Sequence, residues 1–345
     1  MRSVPPLSRA LSFPVTTGIG LMAAIVTLLS KTGKSIEAFT MSSVAYDSEP
    51  WRLVISALPH GDAMHLAFNL LWFWILGTQI EEALGHVKAF ALIVVLAVGS
   101  ASAQFALSDG GIGLSGVGYG QVGFLFVMAR FDPRLRGAID RRTLILFGGW
   151  FVFCIVTTQL GLWRIANVAH GSGFVLGMLL GAAVAPLRPV VRGIAAFGFA
   201  VTFAASLAGA AWWRPYVNLS PTAGHDDAYR GWRALDEDHY ELAAKHLERA
   251  LAVSPDDAGS WVNYGIVLEH LPDHPALDGV TPFECYRRAT AADPDDATAY
   301  WNLGRMHAAR GDADHARQAF ARAAALDPAK YAKRQAEWLQ DLEGR

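Results

Sequence analysis

The sequence predicts an all-α fold in two parts, a polytopic membrane helical bundle followed by a soluble helical solenoid, and three observations predict it. The chain of 345 residues is 52% hydrophobic and 17% charged, yet most of its charge follows residue 215 or so. Ahead of that point lie seven apolar stretches that approach the ~20 residues a helix needs to cross a hydrocarbon layer about 30 Å thick. Behind it lies a repeat whose units begin near a glycine and close on a proline.

After a tail over residues 1–14, the apolar stretches are Val15–Leu29, Met64–Ile80, Ala89–Leu107, Gly116–Ala129, Leu144–Leu160, Val168–Pro186 and Val191–Trp213. The fourth is short and rich in glycine. The first reads as a span rather than a signal peptide, because no short apolar core with a small-residue cleavage site precedes it. Packed instead as buried helices of a large soluble protein, so many apolar runs would leave too little polar surface. This divides the chain into a six-helix core over 15–187, a seventh span within 188–214 and a soluble domain over 215–345.

Orientation follows from Lys and Arg in the short loops. Arg2, Arg9, Lys88, Arg130, Arg134, Arg136, Arg141, Arg142, Arg188 and Arg192 all fall on one side, which is expected to be cytoplasmic. The other side holds Lys31, Lys34, Arg52 and Arg164, with Arg214 at the last boundary. The expected location is a bacterial inner membrane, with the N-terminus inside and the C-terminal domain outside. A net charge of −2 gives no reason to expect nucleic acid as a partner. The two cysteines, Cys154 and Cys285, fall in different halves, so no disulfide framework is expected.

In the C-terminal part, Gly231, Gly265 and Gly304 head three units closed by Pro255, Pro294 and Pro328. The third reads AYWNLGRMHAARGDADHARQAFARAAALDP. Its small residues Gly304, Ala316 and Ala323 let two helices pack closely, with Tyr300, Leu303, Phe320 and Leu326 between them. The spacing from Gly231 to Gly265 is 34 residues and that from Gly265 to Gly304 is 39, the excess fitting a loop over Leu271–Pro282. The pattern resembles the tetratricopeptide repeat (TPR), whose period is 34 residues. Tyr331–Leu342 reads as a capping helix. Generic amphipathic hairpins are the other reading.

Polar side chains within membrane spans are costly and point to function. Three groups stand out. The first is Trp51-Arg52 followed by HGDAMHLAFN at 60–69. His65 and Asn69 are four apart and share a helix face, both can donate hydrogen bonds, and His60 falls just before the helix. A metal site or a structural hydrogen-bond network would also use such residues, but there is no HExxH and no carboxylate in the span, so no metal or cofactor is expected. The second group is Gly113-Leu114-Ser115-Gly116 followed by Tyr119, where a loop becomes the fourth span. Ser115 is expected to cap that helix, and capping alone would explain a serine there. The third is AHGSGFVLG at 169–177, with His170 at the start of the sixth span. Gly173, Gly177 and Gly181 line one face, matching Gly116, Gly120 and Gly123 on the fourth span. Two such stripes favour direct helix contact, which would bring His170 beside Ser115.

Taken together, the Trp-Arg pair, the HxxxxHxxxN pattern, the GxSG, the tyrosine four residues later and the AHxxGxxxG resemble the rhomboid family over about residues 15 to 187. The resemblance implies that Ser115 is a nucleophile and His170 its general base. It implies an oxyanion hole from His65, Asn69 and the Ser115 backbone N–H. His60, Gly113, Gly116, Tyr119, Gly173, Gly177, Trp51 and Arg52 would support the site. With Asp62, Glu81, Glu82, Asp109, Asp132 and Asp140 in loops or at helix ends, the site is expected to be a dyad. The implied activity is an intramembrane serine endopeptidase acting on membrane-spanning proteins in the bilayer, with the TPR domain recruiting substrate or another partner. A non-enzymatic scaffold is a second class. A transporter relaying protons through His65 and His170 is a third, and it leaves the GxSG and Asn69 without a role.

Overall fold

The computed structural model describes residues 4–32, 36–46, 48–219 and 224–343, among which only helices and connecting segments occur. The chain splits into two compact units, Met1–Pro221 and Thr222–Arg345. Arg2 and Lys34 lie outside the described residues.

In the first unit, α1 (Pro14–Lys31) is followed by a long loop holding the short helix α2 (Arg52–Ile55). Then come α3 (Ala63–Leu84), α4 (His86–Leu107), α5 (Ser115–Met128), α6 (Arg141–Gln159), α7 (Asn167–Val184) and α8 (Pro189–Ala208), the last continued by a π-helical turn over Gly209–Trp213 and by α9 (Arg214–Val217). Counting the π turn with α8, six of these helices are long and apolar enough to cross a membrane. The chain is a multi-pass membrane protein. Leu21, Leu28, Ile145, Val152, Ile194 and Phe197 stand exposed on α1, α6 and α8, an arrangement that suits lipid and not water.

Helix α5 is the exception. Its 14 residues span about 21 Å at 1.5 Å per residue, less than the ~30 Å hydrocarbon core. It is enclosed by its neighbours, with every residue from Gly116 to Leu125 buried.

Helix α3 runs past the expected limit at Ile80 to Leu84, and Glu81 and Glu82 lie at its end, in the last turn. Glu81 is buried, and the reason is visible. Its carboxylate accepts hydrogen bonds from the N–H groups of Val15 and Thr16 (3.0 and 2.8 Å), from the Thr16 hydroxyl (2.7 Å), and pairs with His86 (2.7 Å). It thus caps α1, whose first N–H groups have no partner within their own helix. The long loop is also anchored. The Tyr46 hydroxyl donates to Ser102 (2.8 Å). At the other end of the unit, the Arg214 guanidinium at the start of α9 lies over the Phe105 ring and donates to the Ser108 carbonyl, tying α9 to the end of α4.

The second unit contains α10 (His225–Asp236), α11 (Tyr240–Val253), α12 (Ala258–His270), α13 (Pro282–Ala292), α14 (Ala297–Ala309), α15 (Ala313–Leu326) and α16 (Pro328–Glu343). Consecutive helices pair at Gly231 against Leu247, Gly265 against Tyr286 and Gly304 against Phe320. The insertion between α12 and α13 folds onto the second repeat, where the Tyr264 hydroxyl accepts from Leu277 N–H and donates to Glu248. Trp301 stacks on Tyr331 and meets Phe320 at a tilt, joining α16 to the last repeat.

Candidate active site

Two helices approach here more closely than ordinary side chains allow. A Cβ on Gly173 would overlap the carbonyl of Gly116, one on Gly177 that of Gly120, and one on Gly123 that of Phe174. Helices α5 and α7 therefore meet backbone to backbone, and their N-terminal ends lie together. At that junction the Ser115 hydroxyl and His170 Nε2 are 2.8 Å apart. The imidazole is buried and stacks on Tyr119, with ring centroids 4.6 Å apart and planes 19° apart. Tyr119 is fixed in turn by donating its hydroxyl proton to the Phe147 carbonyl (3.0 Å).

Ser115 does not cap α5 as expected. Leu114 holds the cap position without a side-chain bond, and Ser115 is the first helical residue. The difference matters, because a capping hydroxyl turns back to its own helix, whereas here it faces His170. The first N–H groups of α5 have no partner four residues back in their own helix, and they carry the positive end of its dipole.

For the serine to donate to Nε2, the imidazole proton must sit on Nδ1. That nitrogen is buried with no hydrogen-bond partner among the described residues. Among the described residues no carboxylate orients the ring from behind; Tyr119 holds it by stacking. Among the described residues no group of three His, Cys, Asp or Glu side chains able to hold a metal converges around Ser115.

His60 braces the loop that leads into Ser115. Its Nε2 accepts from Leu114 N–H (3.3 Å), so Nδ1 carries the proton and donates to the Leu58 carbonyl (2.9 Å). The Thr27 hydroxyl receives the His60 N–H (3.1 Å), which ties this support to α1. Gly113 adopts a φ of +104°, and a Cβ there would lie 3.1 Å from His65 Cε1 and 3.2 Å from the His60 ring. The two imidazoles meet edge to face at 4.9 Å. Asp62 caps α3 through the His65 N–H (2.8 Å), which sets where that helix presents His65. Asn69 is buried and donates one amide hydrogen to the His65 carbonyl (2.9 Å), leaving its second N–H for another acceptor.

Trp51 and Arg52 sit in the long loop and not on the serine. Trp51 is exposed, whereas Arg52 is buried, pairs with Glu49 and donates to the Thr40 carbonyl (3.2 Å). Their link to the site is indirect, since the Ser56 carbonyl just after α2 accepts from Gly113 N–H (3.2 Å). Sequence reasoning missed Gln104 and Ser100. The Gln104 side chain accepts from Ala169 N–H (3.1 Å) and donates to the Asp109 carbonyl (3.0 Å), bridging α4 to the start of α7. A Cβ on Gly116 would lie 2.6 Å from the Ser100 hydroxyl oxygen. With Ser56, Gly113 and Ala169 these residues line a cleft that opens beside Ser115. A polar residue in an apolar helix was the available signal for both.

Residues 47–187 match the rhomboid domain. The chain carries a rhomboid domain. Residues 230–276 and 284–331 match the tetratricopeptide repeat, so TPR units follow it. Similar curated proteins are named Rhomboid protease GlpG. The chain is 34% identical to that of Photorhabdus laumondii over 171 residues, covering 48% of this chain and 60% of the relative. It is 35% identical to that of Serratia proteamaculans over 178 residues, covering 50% and 63%. It is 32% identical to that of Yersinia pestis over 177 residues, also 50% and 63%. The chain thus spans somewhat under two thirds of the length of these relatives. The matched rhomboid region contains every residue of the cluster around Ser115 except Thr27.

Proposed function

We propose that the protein is an intramembrane serine endopeptidase with Ser115 as nucleophile and His170 as general base. The observation that carries this reading is the 2.8 Å contact between Ser115 Oγ and His170 Nε2 at the paired ends of α5 and α7. A serine hydroxyl is a weak nucleophile until a positioned base removes its proton. Oγ attacks the scissile carbonyl carbon while Nε2 takes the hydroxyl proton. The resulting oxyanion is met by the N–H of Ser115 at the positive end of α5, by His65 and by the second N–H of Asn69. Collapse breaks the C–N bond, and His170 returns its proton to the leaving amine. Water entering by the cleft beside Ser100 and Gln104 then attacks the acyl group with His170 again as base, and collapse breaks the ester bond as His170 returns the proton to Ser115 Oγ.

The substrates are membrane proteins cut within or near a span, because α5 is too short to carry both of its ends to the membrane surfaces. In this reading the chain divides into a tail (1–14), a protease core (15–187), a seventh span (188–214) and a TPR domain (215–345). The arginines around 130–142 face the cytoplasm of a bacterial cell. The site mouth and the TPR domain face away from it, where the repeats recruit the soluble part of a substrate or another protein. Cleavage of a transmembrane reporter by purified Ser115→Ala and His170→Ala tests the assignment. Each is expected to lose activity by about 10⁴-fold or more while still inserting; substantial residual cleavage in either would contradict it.

A further inference from the structure

In the third repeat, three side chains converge that the packing of the repeat does not call for. His307 lies in the last turn of α14, Asp312 caps α15, and His315 lies in its first turn. His307 Nδ1 is 3.0 Å from Asp312 Oδ2, and His315 Nδ1 is 2.9 and 2.8 Å from the two carboxylate oxygens. One ligand atom from each lies within 4.8 Å of the other two. The imidazoles stack at 5.1 Å with planes 21° apart, so both rings present Nδ1 to the same point. At the same offsets from the glycine of the first repeat stand Ala234, His239 and Leu242, which shows that the hairpin can be built without this trio.

We propose that His307, Asp312 and His315 form a divalent transition-metal site, with zinc as the ion the ligands fit best. Two imidazoles and one carboxylate are borderline ligands that suit Zn²⁺ over Mg²⁺ or Ca²⁺. Tetrahedral zinc with bonds of about 2.0–2.2 Å keeps its ligand atoms roughly 3.3 Å apart. The separations seen here need shifts of only a few tenths of an ångström to meet that for each histidine–carboxylate pair. The frame is set in advance. Asp312 N–H bonds to the His307 carbonyl (3.0 Å) across a turn in which Gly311 has a φ of +76°, and the Asp312 carboxylate is held by the His315 N–H (3.3 Å). Arg310 lies over the Phe283 ring, which also meets His307 edge to face. His315 is exposed and Asp312 partly so, which gives an ion access. Three protein ligands leave a fourth position, open to water or to a carboxylate or imidazole of a bound protein. The site belongs to the second unit and does not depend on the protease reading.

The test is zinc titration of the full-length protein in detergent, prepared without a polyhistidine tag and stripped with a chelator. Calorimetry should give one zinc per chain that binds at least tenfold more weakly in His315→Gln and in Asp312→Asn. Asparagine caps a helix about as well as aspartate, and His315 is exposed, so both variants keep the fold. Cobalt(II) at one equivalent should give the visible absorption of a tetrahedral N/O site in the native chain and lose it in both variants. Unchanged zinc affinity in the two variants, or no binding to the native chain below about millimolar zinc, would overturn the proposal.

Discussion

In the membrane unit a Cβ at Gly177 would overlap the main-chain carbonyl of Gly120, whereas in the repeat unit a Cβ at Gly304 would meet the ring of Phe320 at 2.7 Å. Both glycines sit at helix–helix contacts, but they solve different problems. Inside a membrane, lipid is as apolar as leucine, so helices gain by close backbone approach and not by hiding side chains. In water the gain comes from burying a large side chain, and the glycine makes room for it. Only the first arrangement brings two helix ends close enough to join a serine on one to a histidine on the other. The second yields rigid hairpins with side chains left over for recognition.

The largest effect expected from this contrast is at Gly177. Gly177→Ala puts a methyl group against backbone, which cannot turn aside as a side chain can. Overpacking of this kind costs about 1–3 kcal/mol and sometimes more. It should also separate α5 from α7, so reporter cleavage is expected to fall by two orders of magnitude or more. A thermal scan in detergent alongside a cleavage assay checks both. Normal activity in Gly177→Ala would mean that close approach does not hold the dyad.

Next come His65→Ala and Asn69→Ala. Removing one oxyanion donor costs about 10²–10³ in turnover, because the charge it meets exists only in the transition state. Steady-state kinetics should show kcat falling with KM little changed. A rise in KM alone would make these residues substrate contacts.

Gly304→Ala should act on the other unit only. Phe320 can shift where a carbonyl cannot, so a loss of about 1–3 kcal/mol in the unfolding of the repeats is expected. Cleavage of a generic transmembrane reporter should be unchanged. A matching loss of cleavage would show that the repeats take part in catalysis.

The smallest effect concerns Glu284 on α13. Hydrogen bonds from Arg287, joined by Arg288, hold its carboxyl at about 2, well below the ordinary 4.5. Its folded value is depressed, so its contribution to stability is present above 4.5 and is lost as pH falls toward 2. The group is partly exposed to solvent, and the effect should be small and weaken with salt. Melting of the native chain and Glu284→Gln should converge across that window. A gap that stayed constant with pH would rule out the ion pairs as its source.

Much of this was legible because membrane spans and glycine stripes are written locally. The seven apolar runs, the facing stripes on α5 and α7, and the glycine-headed repeats all follow from spacing along one helix. What stayed hidden depends on partners far apart in sequence. A glutamate at position 81 reads as a helix end or loop until the bare N-terminus of α1 is placed against it. The stripes already set His170 beside Ser115, but nothing local shows that Ser115 leaves the cap position to Leu114. Arg52 gives no sign that its guanidinium turns to Glu49 and Thr40 and away from the serine. Gln104 and Ser100 look like isolated polar residues in an apolar run, and their meaning comes from Ala169 and Gly116 on other helices.

The central claim is that His170 activates Ser115 inside the membrane unit. Labelling the full-length protein in detergent with a fluorophosphonate, followed by mass spectrometry of the peptides, tests it most directly. One adduct is predicted, on Ser115, forming at least a hundredfold faster than in His170→Ala. An adduct on another serine, or equal labelling of Ser115 without His170, would contradict it.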